Sequence, residues 1–212
     1  MGAPHGHWPA RLRRCSIGLL MSDPHSAALS WLGGERIAIS GMPTRSKVPG
    51  LADQGVTHVV NCRARSQVKL SGDLSAELAA FPGRVMHAPM WDLGQRQRPR
   101  LWAAAAAFAA KALAEDPHAR VLIHCHWGKR RSAMVAYAVL RLRGHAQETA
   151  AALVLKHRPQ AALVPNYVRS VEGWLASQGL TCPTAASTSA EVRSLSLMST
   201  AAQDAYNAEM IA

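Results

Sequence analysis

The stretch Arg120-Val121-Leu122-Ile123-His124-Cys125-His126-Trp127-Gly128-Lys129-Arg130-Arg131-Ser132-Ala133-Met134-Val135-Ala136-Tyr137-Ala138 decides the fold. Residues 120–124 form an apolar run of strand length, and 125–130 form a polar, cationic loop. From 131 to 143 a helical period sets in, with Met134, Tyr137, Ala138 and Leu142 on one stripe and Gly144 as its C-cap. A strand that passes through a short loop into a helix is half of a parallel β–α unit, and the same alternation recurs on both sides.

Downstream, helices are predicted over 145–157 and 166–178, separated by Arg158-Pro159. Upstream, RIAIS (36–40) reads as a strand turned by Gly41-Met42-Pro43, and 48–54 reads as a helical turn or two. The β-branched segment VTHVVN (56–61) suits a buried parallel strand. A helix over 74–81, a strand over 84–87, a polar loop over 90–99 and an Ala-rich helix over 100–115 follow. The pattern implies an α/β fold with a central, mostly parallel sheet of four to five strands flanked by helices. Residues 1–30 read as a flexible basic leader in which Met21 offers an alternative start. Residues 181–212 read as a Ser/Thr/Ala-rich tail with a short helix candidate near 201–211, leaving one domain over 31–180.

Nearly half of the 212 residues (49%) are hydrophobic, which is enough for a real core and excludes a wholly disordered chain. The net charge of +11 draws anionic partners at long range. Of the four cysteines, Cys15, Cys62, Cys125 and Cys182, no two form a CxxC pair, so neither a zinc knuckle nor a disulfide framework is expected. The apolar run 17–21 is shorter than a signal core, and 101–114 is too short to span a bilayer. These features fit a cytoplasmic protein with no membrane span.

A phosphate monoester hydrolase that uses no metal needs an ionised nucleophile, donors for the phosphate oxygens and an acid for the leaving oxygen. Cys125 stands where a strand gives way to a loop feeding a helix N-terminus, an anion-binding position. Lys129, Arg130 and Arg131 beside it lower the thiol pKa. Gly128 permits backbone that a Cβ obstructs. Arg131 offers a planar fork for two phosphate oxygens, and Ser132 can hydrogen-bond the sulfur as it leaves. A metal reading of His124, Cys125 and His126 lacks a second ligand pair at suitable spacing; a supporting hydrogen bond from His124 to the loop is expected instead. No metal and no cofactor is implied.

His124-Cys125-x-x-Gly128-x-x-Arg131-Ser132 resembles the HCxxGxxR[ST] signature of dual-specificity protein tyrosine phosphatases, and the resemblance extends over about 31–180. It implies the cysteine-phosphatase fold, with 31–40 as its opening strand and Pro165-Asn166 as the start of its last helix. It also implies hydrolysis of phosphotyrosine proteins, and of phosphoserine and phosphothreonine in some branches, through a phosphocysteine. The family's general acid is an aspartate on a loop before the cysteine, and Ala88-Pro89-Met90-Trp91-Asp92 resembles that segment. Asp73, Glu77, Glu115 and Asp116 read more simply as solvated helix charges. Loop positions His126, Trp127, Gly128, Lys129 and Arg130 face substrate in the family. Gly128-Lys129 resembles a form seen in lipid and inositol-phosphate phosphatases, so a phosphoinositide or inositol phosphate is a second substrate class. A cysteine at the place of Cys62 forms a reversible disulfide with the nucleophile in some branches; the plainer reading is a small buried hydrophobe.

Arg96, Arg98 and Arg100 form a charge run beside Asp92, at the expected pocket rim. A non-catalytic phosphate- or RNA-binding module is the alternative from another class. It fits the basic charge but not the intact nucleophile and acid. No nucleic-acid partner is expected, because no stacking aromatics interleave with a basic strip.

Overall fold

The structure, a computed structural model, describes residues 28–180. Most of the leader, the tail with its helix candidate at 201–211, Met21, Cys15 and Cys182 lie outside the described residues. Five strands form one sheet in the order β1 (Ser30–Trp31), β2 (Ile37–Ser40), β5 (Val121–His124), β3 (His58–Asn61) and β4 (Arg84–His87). Only β1 runs antiparallel to its neighbour. Six helices accompany the sheet: α1 (Arg65–Ser71), α2 (Asp73–Ala80), α3 (Ala103–Glu115), α4 (Arg131–Leu142), α5 (Gln147–His157) and α6 (Pro165–Ser177).

The opening segment is a hairpin rather than one strand. Arg36 turns it in the left-handed region at φ 59°, and its guanidinium reaches the carbonyls of Leu113, Asp116, Pro117 and Ala119 at the end of α3. Of these only Leu113 lies within α3, and its carbonyl has no donor four residues on because residue 117 is proline; the bonds from the Arg36 side chain offset the strain of its own backbone. The turn expected over 48–54 divides into two 3₁₀ turns, Arg45–Lys47 and Pro49–Leu51, and a third, Pro99–Leu101, precedes α3.

Helix α4 departs from the sequence reading. Instead of one apolar stripe, every residue from Arg131 to Leu142 is buried. Ala133, Ala136 and Ala138 let neighbours approach closely, and α3, α5, α6, β2 and β5 surround it. A helix covered on all sides is itself the core.

This arrangement puts the central strand β5 between β2 and β3, with Ser40, Asn61 and His124 side by side at their C-terminal ends. In open parallel sheets, ligand sites form outside those ends. Among the described residues no helix is long and apolar enough to cross a membrane.

Candidate active site

Beyond His124 the chain leaves the sheet, and the loop 125–130 wraps Cys125, which is only 1% exposed. The loop's carbonyls are turned to partners outside it. The Met42 N–H donates to the His126 carbonyl (3.1 Å), and Arg158 reaches the carbonyls of Gly128 (3.2 Å) and Trp127 (3.4 Å). Gly128, at φ +65°, has no room for a side chain, since a Cβ there would stand 2.5 Å from both the Ser40 oxygen and an Arg158 nitrogen. With the carbonyls engaged, amides face the sulfur: the N–H groups of Ser132 and Lys129 bond it, and Ser132 Oγ lies 3.3 Å away. Burial pushes the Cys125 thiol up, but the Arg131 charge and these hydrogen bonds outweigh it and hold the group below its ordinary value.

Arg131, almost fully buried, donates through one terminal nitrogen to Gln67 Oε1 (2.8 Å), the Met90 carbonyl (3.1 Å) and the Cys62 carbonyl (3.4 Å). Its Nε has no hydrogen-bond partner among the described residues and sits 3.6 Å from Asp92 Oδ2. A buried guanidinium with an open donor is prepared for an anion. Asp92 Oδ1 accepts from the Tyr167 hydroxyl at 3.0 Å and lies 3.4 Å from Arg130. Cys125, Arg131 and Asp92 therefore converge from the end of β5, the start of α4 and the loop after β4, although Asp92 and Cys125 are far apart in sequence.

Several residues sit otherwise than expected. His124 does not support the loop with its side chain; its Nε2 faces Glu77 Oε1 at 2.8 Å, with both side chains fully buried. Asp73 and Glu77 are not solvated helix charges. Asp73 pairs with Arg63 (2.5 Å) and accepts from Asn61 (2.9 Å), and Glu77 accepts from Asn61 at 3.1 Å. Glu115 and Asp116 are exposed at the end of α3. The signal for this network was present: Asn61 and His124 end adjacent core strands, and buried polar groups demand partners. Arg130 leans on the Asp92 loop, its guanidinium 6.0 Å above the Tyr167 ring, whereas Lys129 stays exposed. His126 and Trp127 pack edge to face at 4.5 Å and are half-buried at the mouth.

Cys62 is free, as is Cys125. Burial first and the Cys125 thiolate second push the Cys62 thiol well up. Asn61 and His124 are in register and the Cys62 N–H donates to the His124 carbonyl, so the two cysteines follow on neighbouring strands. Such strands lie about 4.8 Å apart, inside the Cα range of a disulfide. Among the described residues no cluster of His, Cys, Asp and Glu is arranged to hold a metal ion.

Comparison with solved structures agrees with this architecture. Tk-PTP in its active form is 23% identical with a TM-score of 0.57, the match covering 70% of this chain and 96% of that one. Human DUSP28 is 22% identical with a TM-score of 0.57, covering 73% and 99%. The fold is that of the dual-specificity phosphatases. PTPMT1 in complex with PI(5)P shares the cysteine-phosphatase fold at 16% identity and a TM-score of 0.54, covering 66% and 90%. No protein-family model matches the chain, and neither does any curated protein sequence.

Proposed function

We propose that this chain hydrolyses phosphate monoesters through a phosphocysteine, with phosphotyrosine in proteins as the leading substrate. Cys125 attacks phosphorus, Arg131 and the loop amides hold the phosphate oxygens, and Asp92 protonates the leaving oxygen and later takes a proton from the attacking water. Ser132 assists the sulfur as it departs.

The observation that carries the reading is the 3.6 Å approach of Asp92 Oδ2 to Arg131 Nε. A carboxylate beside an anion grip repels phosphate unless it carries a proton, so a module that merely binds phosphate gains nothing from it. An acid that delivers its proton to the leaving oxygen needs that place. An aryl ester is favoured by the aromatic rim of His126, Trp127 and the half-exposed Trp91. Arg130, engaged with Asp92, leaves Lys129 as the freer loop cation, which weakens the case for a polyanion.

A phosphoinositide or inositol phosphate is the second reading. Its support is the exposed trio Arg96, Arg98 and Arg100 on the loop just after Asp92, together with the PI(5)P complex of the similarly folded PTPMT1.

The test is turnover of an aryl phosphate in the presence of EDTA by wild type, Cys125→Ser and Asp92→Asn. Loss of activity in Cys125→Ser and a chelator-insensitive wild type are expected. Activity surviving that substitution would overturn the covalent route. Phosphotyrosyl peptides against phosphoinositide vesicles then separate the two substrate classes.

A further inference from the structure

The loop that carries Asp92 is tied to one face of α6. Asn166 Nδ2 donates to the Gly94 carbonyl (2.8 Å), the Gly94 N–H donates to the Tyr167 hydroxyl (3.3 Å), and the Gln97 N–H donates to Ser170 Oγ (3.0 Å). Gln97 Nε2 closes the loop on itself through the Trp91 carbonyl at 3.0 Å. Met90 anchors the start of the loop in the core, but around Asp92 itself apolar burial contributes little, since Trp91 is 50% and Leu93 76% exposed. Hydrogen bonds from α6 set the loop's position.

Tyr167 is the member that reaches the carboxylate. The residue is buried in the core cluster, so its ring is fixed and its hydroxyl emerges at one place. The Gly94 N–H uses a lone pair on the phenol oxygen, and the single phenol hydrogen then goes to Asp92 Oδ1 at 3.0 Å, with the Trp91 carbonyl a longer alternative at 3.4 Å. The two carboxylate oxygens are therefore inequivalent. Oδ1 is occupied by Tyr167 and flanked by Arg130, while Oδ2 faces Arg131.

We propose that Tyr167 is a positioning residue for the general acid: its hydroxyl occupies Asp92 Oδ1 and so assigns the transferable proton to Oδ2, on the side of the phosphate grip. The assignment rests on the general-acid reading of Asp92. In the step it serves, the Cys125 thiolate forms the S–P bond as the P–O bond to the leaving group breaks. The Oδ2–H proton passes to the leaving oxygen, and Asp92 is left as a carboxylate held by Tyr167.

Tyr167→Phe keeps the ring and removes only the hydroxyl. The experiment follows kcat for aryl phosphates of graded leaving-group acidity in wild type, Tyr167→Phe, Asp92→Asn and the double variant, with the rate of Cys125 alkylation as a check on the nucleophile loop. Asp92→Asn should lower kcat for the poorest leaving group by about 100-fold or more, with little effect on the best. Tyr167→Phe should cost about tenfold on the poorest, the effect of one hydrogen bond to a charged group, and steepen the leaving-group dependence without changing alkylation. The double variant should be no worse than Asp92→Asn alone, because the hydroxyl acts only through the acid. A Tyr167→Phe series parallel to wild type, a uniform loss across leaving groups, or a loss additive with Asp92→Asn each overturns the assignment. A flat Asp92→Asn series removes the general-acid reading and the assignment with it; a steep Asp92→Asn beside a flat Tyr167→Phe removes the assignment alone.

Discussion

His124, immediately before Cys125 in the chain, and Glu77 face each other at 2.8 Å with neither side chain open to solvent. Burial alone pulls the His124 pKa down, but the Glu77 carboxylate beside it outweighs burial and raises the pKa above the ordinary histidine value. The pair is therefore a buried, titratable contact one residue from Cys125.

Glu77→Gln removes the charge and keeps the shape. A raised folded-state pKa contributes stability that is complete below the unfolded value, about 6.5, and is lost as pH rises through the folded value. The variant should therefore be less stable than wild type by up to about 3 kcal/mol below pH 6, with the gap closing in alkaline buffer. Urea unfolding across pH checks this, and a gap independent of pH would count against the ion pair.

The depressed pKa of Cys125 makes a second prediction about thiol chemistry. Alkylation by iodoacetamide should proceed below the pH at which an ordinary thiol, pKa about 8.5, becomes reactive. Ser132→Ala deletes one of the bonds that hold the thiolate and should move the alkylation profile to higher pH by about one unit, roughly the value of one hydrogen bond to a charged atom. An unmoved profile would free Ser132 of that role.

Oxidation tests the cysteine pair. Peroxide should convert the Cys125 thiolate to a sulfenic acid, and the Cys62 thiol should then condense with it, releasing water and forming a disulfide. Oxidation removes the Cys125 charge that, after burial, holds the Cys62 thiol up, so the resolving step is eased by the step before it. Peptide mapping without reductant should find the Cys62–Cys125 bridge, and Cys62→Ser should instead accumulate irreversible Cys125 oxidation. Recovery of Cys62→Ser by dithiothreitol as complete as that of wild type would contradict the pairing.

Gly128→Ala places a Cβ against the backbone of Ser40 at a positive φ. The left-handed conformation alone costs about 1–2 kcal/mol, and the clash adds to it. Activity should fall by more than about tenfold while the melting temperature drops by only a few degrees, because the loop moves before the core does. A variant with wild-type turnover would show that the loop tolerates displacement.

The sheet and most helices were legible because their signals are local: β-branched runs at 56–61 and 120–124, and Ala-rich or periodic stretches bounded by Gly and Pro. The loop 125–130 was legible for the same reason, as one continuous segment. Helix α1 escaped notice because only Val68 of its seven residues is buried, leaving little periodicity to detect, and its start depends on Gln67 reaching back to the Ala64 N–H. That Asn61 and His124 need buried partners could be read from the strand ends, but the contacts that Glu77, Tyr167 and Arg158 make could not. Each exists only across a tertiary contact, His124 with Glu77, Asp92 with Tyr167 and Gly128 with Arg158, and residue types along the chain do not report such distances.

The central place of β5 between β2 and β3 has a temporal meaning. The loop around Cys125 is framed by pairings of β5 with β2 and β3, strands far upstream in the chain, and non-local pairings of this kind are slow to form. Until then Cys125 is an ordinary thiol, without the Arg131 charge or the amides that lower its pKa. The heightened acidity of Cys125 therefore belongs to the finished fold and not to the nascent chain.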